Sequence, residues 1–410
     1  MSTAAKSFLG IELDGDGAHP AAWRKARHTP AELLDGTRVR ATVLAAESAG
    51  FHIATFADGS LPAASSEPGG RDIPGRLNAL QRAAFAGPIT GSIVLVPEVD
   101  TVYTEPFHVS TQLASLDYVS GGRAGWLVAA SDNAADAAAV GRSPVSGDGL
   151  GREAADSIEA GRRLWDSWED DAVIRDVATG RYIDVDKLHY VDFHSTVDFE
   201  STVDFHSTVD FGSTGSASTA SAGGAGYSIK GPSIIPRPLQ GQLPVLAPAG
   251  LLNADQLSAG AADALLVSAP TPELLAGEVA EARAAAPAAA IIVELDVVLD
   301  ARGQGAAGRL AELDAHTPWQ SSRARFVGTA AELTELLASV LETADGVRLH
   351  PAVLDVDLEE LAQLVLPALR RRGLLAPQQP GSTFRDLLGL QRPASRYAAA
   401  NAAAFSTPDI

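Results

Sequence analysis

Ten polar or ionisable residues stand just past short apolar runs, where a parallel barrel would place its reacting groups. They are Asp14, Asp58, Glu98, Asp100, Thr101, Ser131, Asp132, Asn133, Ser268 and His350. Carboxylates dominate the set, and it holds one histidine. A hydrolytic metal centre of the amidohydrolase kind wants several histidines at strand ends, and no His-x-His occurs. A serine nucleophile needs a base close by, and there is no Gly-x-Ser-x-Gly elbow. Neither the Gly-x-Gly-x-x-Gly dinucleotide fingerprint after a strand nor a Walker loop is present. The stretch from Asp14 to Gly17 begins like a calcium loop but lacks the distal glutamate. Cysteine is absent, which removes disulfides, cysteine zinc sites, iron–sulfur clusters and thiol nucleophiles together. What remains is a polar mouth with no self-contained catalytic set and no metal site. Such a site more often takes its chemistry from a bound cofactor.

The elements that must hold these residues follow from periodicity. Apolar runs at Phe8–Leu13, Phe51–Ala57, Ile93–Val96, Trp126–Ala130, Pro244–Leu246, Ala264–Val267, Ile291–Val298 and Val347–Leu349 read as buried strands. Helical stretches separate most of them, near 31–49, 74–86, 106–119, 150–168, 271–286 and 330–343. Strict alternation of strand and helix implies parallel neighbours, and eight such units close into a barrel. The expected fold is therefore α/β, a (β/α)8 TIM barrel with insertions and a long excursion after strand 4. An open doubly wound sheet is the alternative. A last helix over Asp357–Arg372 has acidic residues first and three arginines last, in the order that suits the helix dipole, with a break expected at Pro367.

The chain has 410 residues, 46% of them apolar, and a net charge of −20. The charge argues against nucleic acid and anionic membrane as partners, because both need clustered lysine and arginine. No apolar run reaches transmembrane length, and the first residues lack the basic start and apolar core of a signal peptide. A cytoplasmic protein is expected.

Residues 191–214 are four tandem hexads, VDFHST, VDFEST, VDFHST and VDFGST, followed by a Gly/Ser/Ala/Thr stretch to about 226. Their even period would set His194, Glu200 and His206 on one face of an extended strand. The two histidines would still lie ~20 Å from the middle residue at each step, too far to share one ion. A tandem duplication in a tolerant surface loop accounts for them better, and an added hairpin is compatible with their Val, Phe and Thr content.

Several longer segments resemble the bacterial luciferase-like flavin monooxygenases, in the branch of nitrilotriacetate, pristinamycin-synthase and dibenzothiophene-sulfone monooxygenases. They are Tyr103–His108, the SLDYVSGGRAGW stretch ending at Trp126, Leu164–Asp171, Asp186–His189, Tyr227–Gly241, Leu366–Gly373 and Leu387–Tyr397. The resemblance spans essentially the whole chain. It implies one barrel over 1–397, an insertion at 191–226 and a tail at 398–410. It also implies a reduced flavin at the barrel mouth that acts with O2 on a small organic substrate. The flavin would be FMN, delivered by a separate NAD(P)H:flavin reductase, with the deazaflavin F420 as the alternative. A homodimer is the common assembly of such barrels.

Carried over residue by residue, the resemblance assigns flavin contacts to Asp58 at the end of strand 2, Thr101 and Tyr103 after strand 3, Ser131 after strand 4 and Gly250 after strand 5. No catalytic residue is assigned. The departures are also specific. The family's Asn and Thr in strand 4 are Leu127 and Ala130 here, its Arg-Tyr opening helix 4 is Leu150-Gly151, and its phosphate-loop serine is Leu251. They leave a second reading open, a non-catalytic barrel that serves as a partner subunit or binds a ligand.

Overall fold

In the computed structural model, residues 7–58, 75–196, 219–220 and 227–398 are described. Eight parallel strands form the frame: β1 (Phe8–Glu12), β2 (Ile53–Phe56), β3 (Val94–Asp100), β4 (Trp126–Ala129), β5 (Val245–Pro248), β6 (Ala264–Val267), β7 (Ala290–Leu299) and β8 (Gly346–Pro351). Consecutive strands pair from β1 to β6, β6 pairs with β7, β7 with β8, and β8 returns to β1 with Phe8 opposite Gly346. The ring is closed, so the doubly wound alternative is overturned. All eight expected strands are present, within one to four residues of the expected limits.

Helices wrap the ring: α1 (Gly36–Ala49), α2 (Ala79–Ala86), α3 (Pro106–Ser120), α4 (Asp148–Asp166), α5 (Ala254–Ser258), α6 (Leu275–Ala285) and α7 (Ala330–Val340). The eighth position is a composite of Leu354–Glu360, a π-helical stretch Leu361–Val365, and Leu366–Arg371. Pro367 has no N–H to give the preceding turn, and the π stretch just before it absorbs the missing bond. Helix α1 ends at Gly50 with φ +92°, in the left-handed region that glycine adopts without strain.

Alternate residues along each strand face inward. The inward floor is apolar: Phe8, Ile53, Val94, Val96, Leu127, Leu246, Leu266 and Ile292 pack with Phe384 from the C-terminal segment. A Cβ on Gly346 would stand 2.3 Å from the Phe8 ring, and one on Gly125 would stand 2.4 Å from the Phe384 ring. These two glycines are small because aromatic rings fill the floor beside them.

Periodicity gave little warning of several pieces. The strand Ala324–Gly328 pairs with the outer half of β7, beyond the reach of β6. A hairpin, Val173–Asp176 and Arg181–Ile183, projects from the segment between α4 and β5. The first hexad is also structured: Val191–His194 runs antiparallel to Tyr227–Gly231. Val191 and Phe193 point into a small core with Ala160, Leu164 and Ile229, while Asp192 and His194 face outward. Glu200, His206, the later hexads and the tail beyond Ala398 lie outside the described residues.

Gly346→Ala is expected to destabilise the protein by about 1–3 kcal/mol through overpacking against Phe8. Chemical denaturation of the single variants and of Phe8→Ala/Gly346→Ala checks it. The double variant should lose less than the sum of the two singles.

Candidate active site

The C-terminal ends of the strands open into a polar mouth. Four strands carry ionisable residues two apart: Glu12 on β1 with Asp14 just beyond it, Glu98 and Asp100 on β3, Glu294 and Asp296 on β7, Arg348 and His350 on β8. A spacing of two keeps both members on the inward face. They therefore stack as a lower and an upper polar layer above the apolar floor.

Arg348 is the centre of the lower layer. It is buried and pairs with Glu12, reaches Glu294 Oε1 at 2.8 Å, and donates through Nε to Thr55 Oγ1 at 2.8 Å. Thr55 in turn donates to Glu12 Oε2 at 2.8 Å, and the Ala57 amide donates to Glu12 Oε1. Ser268 Oγ donates to Glu294 Oε2 at 2.9 Å, and His350 Nε2 lies 3.1 Å from Glu294 Oε1. One guanidinium thus ties β1, β2, β7 and β8. Burial alone would raise the Glu12 carboxyl, but Arg348, His350 and Thr55 bring it down to about 2. Glu294 is likewise held well below the usual carboxylate range, against the effect of burial, by His350 and Arg348. Burial and the nearby Arg348 charge push His350 down, against its bond to Glu294.

Glu98 is the exception. It shares the inward face with this cluster, yet no hydrogen bond reaches its carboxyl among the described residues. Burial pushes it up to about 7. Arg348 opposes that rise, while the Glu12, Glu294 and Asp14 carboxylates add to it. At neutral pH Glu98 can therefore hold or release a proton, as a group in an acid–base role must.

The other residues expected at the mouth are found there, mostly in structural bonds. Asp58 accepts from Asn78 Nδ2 at 2.6 Å and from the Ala79 amide at the start of α2. Asp100 accepts from the Ser131 and Tyr103 amides, locking the end of β3 to that of β4. Thr101 is buried and donates to the Ala129 carbonyl at 2.9 Å. The Tyr103 hydroxyl accepts from the Val145 amide at 3.3 Å, and the Arg142 guanidinium lies over its ring. Ser131 Oγ donates to Asp136 at 2.7 Å, and Asn133 caps the short helix Ala134–Ala139. Asp14 is held by Arg76 and Arg82. Asp132 is exposed. Gly250 has φ +85° and open space around it. Asp58, Thr101, Tyr103, Ser131 and Gly250 thus follow one arc of the mouth, from β2 to β5.

The substituted end of α4 has a packing reason. A Cβ on Gly151 would stand 2.4 Å from the Leu251 carbonyl oxygen, so the loop after β5 rests directly on the helix. Gln256 Nε2 fastens the contact by donating to the Gly151 carbonyl at 3.1 Å. No larger residue fits at 151. Arg142 is bonded to Glu153 and to the Val102 carbonyl, whereas Arg152 is exposed in the second turn of α4 with its side chain unpaired among the described residues.

Adjoining that arc at its β2 end, between β1, β2, β8 and α1, lies a cavity of about 330 Å³. Its wall includes Trp23, Phe56 and Leu33 together with Arg38, Arg76, Arg82 and Arg323. Among the inward ionisable residues, Glu12, Glu294, Asp296 and Arg348 escape a search for strand-end residues because they sit within the apolar runs. Charged residues two apart in otherwise apolar strands were the available signal.

A closed parallel barrel with a polar C-terminal mouth defines the class of enzymes that assemble their sites from βα loops. A sequence profile of the luciferase-like monooxygenase family matches residues 18–366, and the chain belongs to that family. It is 24% identical to N-acetyl-S-(2-succino)cysteine monooxygenase of Bacillus subtilis (strain 168), covering 95% of this chain and 98% of the relative. It is 25% identical to nitrilotriacetate monooxygenase component A of Aminobacter aminovorans, covering 97% and 99%. The crystal structure of riboflavin lyase (RcaE) with modified FMN and riboflavin superposes with a TM-score of 0.75 at 20% identity, over 97% of this chain and 99% of that one. The expected recognition and fold both hold, and the protein is an enzyme of the luciferase-like monooxygenase class. These full-length relatives favour that reading over a non-catalytic barrel.

Two outcomes test the site. Glu98→Gln should gain stability relative to the wild type as pH rises from 5 to 8. The raised pKa means that folded Glu98 keeps a proton that the unfolded chain releases above about 4.5, so the wild type loses stability up to about pH 7. Urea denaturation at both pH values should show the gap widen by roughly 1–3 kcal/mol. Arg348→Met should cost about 3–5 kcal/mol by leaving Glu12 and Glu294 buried without their cation. Adding Glu12→Gln and Glu294→Gln should recover most of that loss in the same assay.

Proposed function

We propose that this luciferase-like monooxygenase uses reduced FMN and O2 to oxidise a small organic substrate, with F420 as the alternative cofactor. A separate NAD(P)H:flavin reductase would supply the reduced flavin. The carrying observation is the mouth itself: its strand ends are polar, its floor is apolar, and the residues that the resemblance assigns to the flavin lie along one arc. A relative named as component A of nitrilotriacetate monooxygenase supports a separate second component, which this reading takes to be the reductase. When bound, the flavin supplies the oxygen chemistry that no side chain here provides.

The residues present fit a phosphorylated cofactor. Gly250 leaves open space after β5, and Gly147 begins α4 without a side-chain cap. Arg152, in the second turn of that helix, offers a guanidinium unpaired among the described residues. Asp58, Thr101, Tyr103, Ser131 and Gly250 are the flavin contacts of this reading. Their structural bonds would orient them, with Thr101 and Tyr103 holding the β3 end against β4 and α4. Glu98 would hold or move a proton inside the mouth. Residues 1–397 would act as one barrel domain, with 191–226 as an insertion and 398–410 as a tail. The same reading includes a homodimer and work in the cytoplasm, where NAD(P)H is at hand.

Anaerobic titration of the purified protein with reduced FMN, reduced F420 and reduced riboflavin tests the proposal. Micromolar binding of one phosphorylated cofactor is expected. Arg152→Glu should weaken it by about ten- to a hundredfold, in line with loss of a charge-assisted bond, and leave riboflavin unchanged. Binding of neither FMN nor F420 would overturn the reading.

A further inference from the structure

His350 is held by one ring nitrogen and turns the other toward the cavity between β1, β2, β8 and α1. Its Nε2 lies 3.1 Å from Glu294 Oε1. The same oxygen accepts from Arg348 Nη1 at 2.8 Å, and Oε2 accepts from Ser268 Oγ at 2.9 Å. With its carboxyl held well below the usual range, Glu294 is ionised and can only accept. The proton of its bond to His350 therefore sits on Nε2, and the lone pair of the neutral ring sits on Nδ1. Nδ1 has no partner among the described residues. Unlike Asp296 Oδ2 on the adjacent strand, it is not sealed from solvent. His350 forms part of the cavity wall, with Trp23, Phe56 and Leu33 as its apolar neighbours there.

The charges around the ring suit a proton that comes and goes. Asp296 on β7 lies opposite His350 in register and is paired with Arg323 at 2.7 Å. Glu12 on β1 is near enough to feel the ring's charge, and it is paired with Arg348. Glu294 faces both Arg348 and His350. Burial first, then the Arg348 and Arg323 charges, favour the neutral ring, while Glu294 favours the charged one. A proton arriving at Nδ1 would make a cation that already donates to an ionised carboxylate. A histidine oriented by a carboxylate through one nitrogen, with the other open to a cavity, is the arrangement of a general base. Glu98 has no such orienting bond.

We infer that His350 is the catalytic base of this enzyme, its Nδ1 taking the proton of a weakly acidic O–H or N–H on a small molecule held in the cavity, and that Glu294 is its positioning residue. The inference rests on the monooxygenase reading for its place in the reaction. The step is a proton transfer. The ligand's O–H or N–H bond breaks, its electron pair stays on the ligand, and the proton forms a bond to Nδ1. Glu294 remains ionised and balances the imidazolium. Nothing is oxidised or reduced in this step, and the electron-rich anion it leaves is the more readily oxidised form of such a molecule. A cavity of about 330 Å³ admits a compact aromatic body, because small-ligand pockets begin at about 300 Å³.

Spectrophotometric titration of the flavin-free protein with 4-nitrophenol tests it, at a pH where the free phenol is un-ionised. The visible absorption of the phenolate should appear on binding. Calorimetry in two buffers of different ionisation enthalpy should show no net release of a proton, because His350 keeps it. His350→Gln, in a variant that melts with the wild type, should lower the ionised fraction by at least about tenfold. Glu294→Gln removes the balancing charge and should lower it several-fold while the phenol still binds. His316→Gln, at an exposed site, should behave as the wild type does. Nitrogen NMR of the wild-type histidine rings, with His350 assigned by its loss in the variant, should show the proton on Nε2 and none on Nδ1. Both should be protonated once the phenol is bound. No binding, a bound phenol that stays neutral, full ionisation in His350→Gln, or a proton on Nδ1 with Nε2 bare in the free protein would each overturn the inference. Ionisation with one proton released to the buffer would assign the anion to the arginines and overturn it as well. The two failures read differently: loss of FMN binding with this ionisation intact counts against the monooxygenase reading alone.

Discussion

The pairing of Arg348 with Glu12 and Glu294 is the contact on which the barrel's interior depends. It joins β8 to β1 on one side and to β7 on the other, and through Thr55 it reaches β2. Three charges withdrawn from water would each be expensive alone. Here each carboxylate is met by the guanidinium and by neutral donors, and the guanidinium by both carboxylates and the Thr55 hydroxyl oxygen, so the layer is saturated. Below it the interior is apolar; above it the mouth is polar. A fully apolar core could close the same ring, but it would not set a fixed, charged base under a reaction chamber. Glu98 acquires its raised proton affinity chiefly from burial; the Glu12 and Glu294 carboxylates of this layer add to it and Arg348 opposes it.

The segments most characteristic of the family hold the scaffold together. In the SLDYVSGGRAGW stretch, buried Asp117 accepts from the amide and side chain of Gln240. Gly121 and Gly122 turn the chain at positive φ, and Arg123 donates to the carbonyls of Gly87, Thr90 and Ile93. Gly125 makes room for Phe384. In Leu164–Asp171, Asp166 takes Arg237 and Arg396 and Asp170 takes Arg237 and Arg392, and in Asp186–His189, His189 stacks on Tyr397 at 3.8 Å. These bonds strap the C-terminal arm onto the segment that follows α4. Such motifs identify the barrel and say little about its substrate.

This division explains what could be read from the sequence. The eight strands were legible because buried parallel strands are short, nearly continuous apolar runs. The break before Pro367 was legible from one residue. The charged layer was not, since Glu12, Glu294 and Arg348 interrupt runs that are otherwise apolar and their partners lie up to 336 residues away. The strand at Ala324–Gly328 was missed because Arg325 interrupts it and it pairs only with the outer half of β7. The first hexad was read as loop because the repeat dominates its appearance. Yet Val191 and Phe193 are core residues, and Asp156 holds the amide and hydroxyl of Thr196. Composition alone cannot say which copy of a repeat is folded in.

The change at the start of α4 shows how a site and its scaffold move together. A side chain that contacts a phosphate needs space between that helix and the loop after β5. In this protein Gly151 lets the Leu251 carbonyl occupy that space, and Gln256 fixes the contact. Restoring a large residue at 151 would therefore collide with backbone rather than recover a lost bond. The loop and the helix form one unit, and the departures at Gly151 and Leu251 are parts of one rearrangement.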